Sequence, residues 1–276
     1  VARRDGTQNV YEVALDVSSD QTRVLPGQHI AVVYEGYPRF FTVAGITCDE
    51  RGYATRITFH TRRPGAASSR LIEADEGMRF SLFGPFGHNL IPPPDIDGTN
   101  ILYVASGYPV ASFLAHLDQR VQRNASGHTE LIHLRSGGDE YYTDKFHSYE
   151  TALPDHVSRI VRSPDAAAIR DELLGRAGEV MAFLQQDRSY IYVSGGRLSS
   201  RIDELLANVF EHAGFGGQSS VSALYQSGRL RVAEREQIEQ RWIDQILNNK
   251  SGIPERDPTV PHLLFEPHPF RPVKPS

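Results

Sequence analysis

Up to about Gly87 the apolar residues come in short bursts rich in Val, Ile, Phe and Tyr, at 10–17, 29–34, 40–46, 56–61 and 78–83. Turn residues separate them at Pro26-Gly27, Glu35-Gly36, 50–52 and Pro64-Gly65, a punctuation that predicts an antiparallel barrel or sandwich. Ile91-Pro92-Pro93-Pro94-Asp95 interrupts the pattern, because successive prolines neither donate to a ladder nor continue a helix. Beyond it, 101–105, 129–134, 157–161 and 190–193 read as buried parallel strands, followed by helices at 110–123, 144–151, 165–186 and 199–212. Strand–helix alternation with glycines at strand ends predicts a doubly wound sheet, which binds ligands at the carboxyl ends of its strands. The expected fold class is a β-barrel plus α/β. Its segments are 1–97 as the barrel, 98–213 as a nucleotide-binding-like α/β domain, and 214–276 as a C-terminal extension with a helix at 232–249.

The chain of 276 residues is long enough for two ordinary domains, so a small stapled scaffold is excluded. One cysteine, Cys48, permits no internal disulfide and no cysteine-based metal cluster, and the expected compartment is the cytoplasm. With 29 Lys and Arg against 34 Asp and Glu the net charge is -5, and no nucleic-acid partner is expected. No apolar run approaches the ~18 residues of a membrane span, so the chain reads as soluble. It starts at Val1, which reads as a processed chain or one module of a longer polypeptide. Eleven histidines lie scattered without metal-ligand spacing, and no metal site is expected.

Three short motifs suggest chemistry in the first half. In Arg39-Phe40-Phe41-Thr42 the strand period places Arg39 and Phe41 on one face, which suits an anionic, planar ligand: the guanidinium for a phosphate, the ring for stacking, and Thr42 for a ring edge. The plainer alternative is a rim arginine followed by core aromatics. Gly65-Ala66-Ala67-Ser68-Ser69 exposes small residues at a helix start, as a pyrophosphate cradle or simply as a cap. Gly84-Pro85-Phe86-Gly87 reads as the turn closing this half. His60 and His88 lie beside these segments.

Together with Pro26-Gly27-Gln28, these motifs stand in the order found in the ferredoxin–NADP reductase superfamily, and the chain resembles the reductase half of diflavin reductases over residues 10–230. Ile101-Leu102-Tyr103-Val104-Ala105-Ser106-Gly107 is similar to the family's first nucleotide strand, residues 139–146 to the segment after its second strand, and Tyr190-Ile191-Tyr192-Val193-Ser194-Gly195-Gly196 to a later strand end. The resemblance implies a flavin-dependent oxidoreductase that holds FAD in a cleft between two domains. It takes electrons from NADPH or NADH and passes them to an acceptor protein or fused domain. It further implies FAD contacts from Arg39, Phe40, Phe41, Thr42, His60, Gly65, Ala66, Ala67 and Ser68, and nucleotide contacts from Gly107, Tyr108, Pro109, Arg135, Arg162, Ser163 and Gly195. Thr42 and Ser194 are its implied catalytic residues, near flavin N5 and across the nicotinamide.

The chain departs from the family on the nicotinamide side. Gly107-Tyr108-Pro109-Val110-Ala111-Ser112 replaces a Gly-Thr-Gly loop, and Pro109 removes an N–H donor while adding a ring. The family's cysteine is Ser194 and its acidic residue is Gly196; Arg159, Arg162 and Ser163 stand in a shifted order where it has a Ser-Arg pair. The aromatic residue that often ends the family's chain is missing unless Phe265 or Phe270 serves. The alternative function is therefore a flavin-binding member without nicotinamide binding, acting as a non-canonical flavin catalyst or docking domain.

Overall fold

The computed structural model describes residues 10–17, 22–34, 37–62, 66–75, 77–135, 142–163, 165 and 167–233. The Glu35-Gly36 turn, Gly65, residues 139–141, all but the first two residues of the helix expected at 232–249, and Phe265 and Phe270 lie outside them. The chain forms two compact units, one reaching Ile91 and the other running from Pro92 to Ala233, with residues 111–116 grouped with the first.

The first unit is an antiparallel sheet of β1 (Val10–Asp16), β2 (His29–Tyr34), β3 (Tyr37–Cys48), β4 (Ala54–Arg62) and β5 (Ser81–Phe86), in the order β1-β4-β3-β2-β5, with α1 (Ala66–Ile72) before β5. Alternate residues face one core: Val13, Ile30, Val32, Val43, Ile57, Phe59 and Leu71 are fully buried there. At ~1.5–3 kcal/mol for each large apolar side chain, this face is what holds the sheet together. The β3–β4 turn is set by Asp49, whose Oδ1 accepts from the amides of Arg51 (2.9 Å) and Tyr53 (2.8 Å). Gly84, Pro85 and Phe86 are not a turn but the end of β5, which starts later than the burst at 78–83 suggests. A proline is tolerated there because β5 is an edge strand among the described residues.

The second unit is a parallel sheet in the order β10-β9-β6-β7-β8, built from β6 (Asn100–Ser106), β7 (Thr129–Arg135), β8 (His156–Arg162), β9 (Ser189–Ser194) and β10 (Leu230–Val232). Its helices are α2 (Ala111–Gln122), α3 (Thr143–Ala152), α4 (Ala167–Gly175), α5 (Ala177–Gln185), α6 (Gly196–Ser199), α7 (Ile202–His212) and α8 (Gly217–Gln226). Residues 217–232, placed in the extension by the sequence reading, instead form α8 and β10, and β10 pairs in parallel with β9. The short β10 escapes detection because three residues carry no readable period. The single helix expected over 165–186 is broken between α4 and α5. Gly175 is a poor helix former, and Arg176 turns to Glu130 on β7 with its Nη1 and Nη2, the latter at 3.1 Å.

Arg120 on α2 is fully buried. Its guanidinium donates to the carbonyls of Ile96 (2.7 Å), Thr99 (3.0 Å) and Gly127, and so ties the entry of β6 to that of β7.

Candidate functional site

In the first unit Val43 pairs with Phe59 and both face the core, so their neighbours Thr42 and His60 face the opposite side. On that side Glu12 pairs with His60, Thr42 with His29, and His29 with Phe86. The result is a row across all five strands: Glu12, His60, Thr42, His29, Phe86. Phe40 stands beside it, two residues from Thr42, with its ring 5.5 Å from that of Phe86. His60 is buried with Nε2 3.2 Å from the Glu12 carboxylate, which only accepts, so that nitrogen carries a hydrogen. Phe40, Thr42 and His60 thus share one surface.

Phe41 does not join them. It pairs with Ile30 and packs in the core, its ring stacked on Phe59 at 5.0 Å and 20°. The ring on the side of Thr42 is that of Phe40. Arg39 is exposed and has no hydrogen-bond or ion-pair partner among the described residues. The segment 66–69 forms the first turn of α1, where the Ser68 hydroxyl accepts from Thr61 Oγ1 at 3.2 Å. Pro26-Gly27-Gln28 and the end of β5 make one joint. Gln28 accepts from the Leu25 amide (2.8 Å) and donates to the Gly87 carbonyl (3.4 Å). Gly27 has φ +81°, and a Cβ there would sit 2.0 Å from the Leu90 carbonyl oxygen, so only glycine fits. Phe40, Phe86 and the Thr42 hydroxyl share one side of this sheet, whereas Arg39, opposite Val32 and on the parity of Phe41, stands at the rim of the other.

In the second unit β6 leads to β7 on one side while β9 lies on the other, so the order of strands reverses at β6. The carboxyl ends of β6 and β9 meet there: a Cβ on Gly195, at φ +129°, would lie 2.9 Å from the Ser106 carbonyl oxygen. Ser194, 3% exposed, pairs with Ala105. Tyr108–Val110 form a 3-10 turn leading into α2. Arg135 and Arg162 pair across β7 and β8, the Ser163 amide donates to the Arg135 carbonyl (2.9 Å), and Arg135 donates to Thr143 Oγ1 (3.2 Å).

Arg159 is not at this edge. Its Nε donates to Glu130 at 2.6 Å, and Arg176 shares that carboxylate. Burial pushes the Glu130 carboxyl up, but the hydrogen bonds from Arg176 and Arg159 outweigh it and hold the group below its ordinary range. Arg170 pairs with Asp171 at 2.9 Å. Arg162, by contrast, is exposed and has no partner among the described residues. Arg135, Arg162 and Ser163 therefore gather at one cationic corner, with Arg135 buried and Arg162 exposed. The sequence reading missed His29 and His133, whose places depend on strand register; nothing local marks them.

No family model matches the chain. It is 25% identical over 245 residues to the sulfite reductase [NADPH] flavoprotein alpha-component of Photobacterium profundum, covering 81% of this chain and 39% of that protein. It is 22% identical over 248 residues to a ferredoxin–NADP reductase of Synechocystis, covering 78% and 60%. The chain thus spans less than two thirds of the length of each of these relatives. Among solved structures, the ferredoxin–NADP+ reductase of Plasmodium falciparum matches with a TM-score of 0.65 at 13% identity, covering 84% of this chain and 91% of that one. The resemblance read from the motifs holds in sequence and in fold.

Proposed function

We propose that this chain, which has the ferredoxin–NADP reductase fold, is an oxidoreductase module that binds FAD on its antiparallel unit and NADPH or NADH at the carboxyl edge of its parallel sheet. Electrons leave for an acceptor protein or a fused domain, and the cytoplasm is the assigned compartment. The observation that carries this reading is that the guanidinium at each expected phosphate position, Arg39 and Arg162, stands without a partner among the described residues.

Bound FAD would supply the hydride and single-electron chemistry. The chain's own residues position and tune it. Arg39 neutralises a phosphate, and the α1 start at Ala66, Ala67 and Ser68 offers backbone amides to one. Phe40 and Phe86 give an apolar surface that excludes water, and Thr42 offers a hydroxyl between His60 and His29. On the second unit Arg162, Arg135 and Ser163 suit a 2′-phosphate, and Gly195 permits close approach at the strand ends. Ser194 presents a hydroxyl for orienting the nicotinamide.

Anaerobic titration of the purified protein with NADPH tests the reading: the flavin's visible absorption band should bleach at about one equivalent. A colourless protein, or a yellow one that neither NADPH nor NADH bleaches, overturns it. Arg162→Ala should raise KM for NADPH about five- to tenfold and leave NADH unchanged, since it removes an exposed charge-assisted contact to the 2′-phosphate alone. Equal effects on both coenzymes would remove that role. Pro109→Gly restores one amide donor and clears a ring, so KM for NADPH should fall about threefold in steady-state assays; an unchanged or higher KM would show that the proline does not limit binding.

A further inference from the structure

His133 sits on β7, fully buried, on the face opposite Ile132 and Leu134. Two rings meet it edge-on: Tyr142 at 5.9 Å and 81°, and Phe146 at 5.6 Å and 87°. These two stack on each other at 5.9 Å and 18°, so the imidazole is held in one orientation. In that orientation Nε2 lies 2.9 Å from the Gly107 carbonyl oxygen. A carbonyl only accepts, so Nε2 carries the hydrogen. Next along the loop, the Tyr142 hydroxyl donates to the Tyr108 carbonyl at 3.4 Å.

The loop is therefore held by two consecutive carbonyls. An anion is attracted by amide hydrogens and repelled by carbonyl oxygens, so the direction in which these peptides point decides whether the strand end welcomes a phosphate. In a planar trans peptide the N–H points opposite the C=O, and turning the Gly107 carbonyl toward His133 turns the Tyr108 amide the other way. The next peptide ends at Pro109, which has no N–H, so it could offer a phosphate only its carbonyl; Tyr142 takes that oxygen. We infer that His133, with Tyr142, is a positioning residue for dinucleotide binding, turning the two loop carbonyls inward so that the end of β6 accepts a pyrophosphate despite its proline. This rests on the reductase reading above.

The test is calorimetric binding of NADP+ and of 2′-phospho-AMP, which lacks the pyrophosphate, to the flavin-loaded protein. His133→Leu should weaken NADP+ about tenfold and 2′-phospho-AMP less than about twofold, the loss of one hydrogen bond next to a charged group. His133→Gln keeps an N–H near the position of Nε2 and should restore NADP+ to within about threefold of the parent. Amide exchange at residues 107–111, measured without nucleotide, should quicken in the leucine variant and not in the glutamine variant. Undiminished NADP+ binding by His133→Leu overturns the inference, as does equal loss of both ligands. So does failure of the glutamine variant to rescue while its melting temperature is normal. If the parent binds neither ligand, the reductase reading has failed and the inference falls with it; if parent and leucine variant bind both equally, only the inference falls.

Discussion

Arg39→Ala should purify paler than the parent while keeping its secondary structure and melting temperature. Its side chain is exposed, and its loss breaks no hydrogen bond or ion pair among the described residues. A guanidinium contact to a ligand phosphate that becomes partly buried on binding is worth ~1.5–3 kcal/mol, which lowers flavin affinity by about one to two decades. Fluorescence titration of the flavin-stripped protein with FAD reads the change directly. Arg39→Lys should recover only part of it, because an ammonium lacks the planar fork of donors. If the alanine variant holds FAD as tightly as the parent does, the flavin is not anchored at this strand.

The largest effect on stability is expected at Arg120. Its guanidinium has no solvent exposure and supplies hydrogens to three main-chain carbonyls from two separate loops. Burial pushes its pKa down from the ordinary arginine value, which shows what the surrounding protein must offset to keep it charged. Arg120→Met keeps most of the volume and abolishes the donors. It leaves the Thr99 and Gly127 carbonyls without this donor and Ile96 with only the Thr99 amide, and at ~1–3 kcal/mol for each buried acceptor left unmet the cost is ~2–6 kcal/mol. Urea unfolding followed by far-ultraviolet circular dichroism should show a lower midpoint at unchanged slope. A loss below ~1 kcal/mol would mean that water replaces the guanidinium without penalty.

The strands and most helices were legible because burial writes its pattern into the sequence: β2 is recovered to the residue from an apolar burst bounded by turn residues, and β6 to β9 from runs of apolar residues. Signals that act across the chain were not legible. The break between α4 and α5 depends on Glu130, 46 residues from Arg176, and β10 exists because β9 offers a free side. The same limit governs the site. Period two correctly put Arg39 and Phe41 on one parity, yet which parity is the core is decided by the pairing of Val43 with Phe59, and that puts the Phe40 ring on the side of Thr42. Similarly, three arginines on or after β8 look alike in sequence, and only the place of Glu130 on the neighbouring strand separates the engaged Arg159 from the open Arg162.

The proline that ends β5 bears on more than that strand's own geometry. Among the described residues β5 has β2 on one side and no strand on the other, which is the arrangement that invites a second polypeptide to add itself by main-chain pairing. Pro85 has no hydrogen to offer such an intruder. The register of β5 against β2 also slips between His29 and Ala31, which bends the strand away from the straight template that pairing needs. The irregularity that hides β5 from a reading of hydrophobic period is thus also a guard against aggregation through the sheet's open flank.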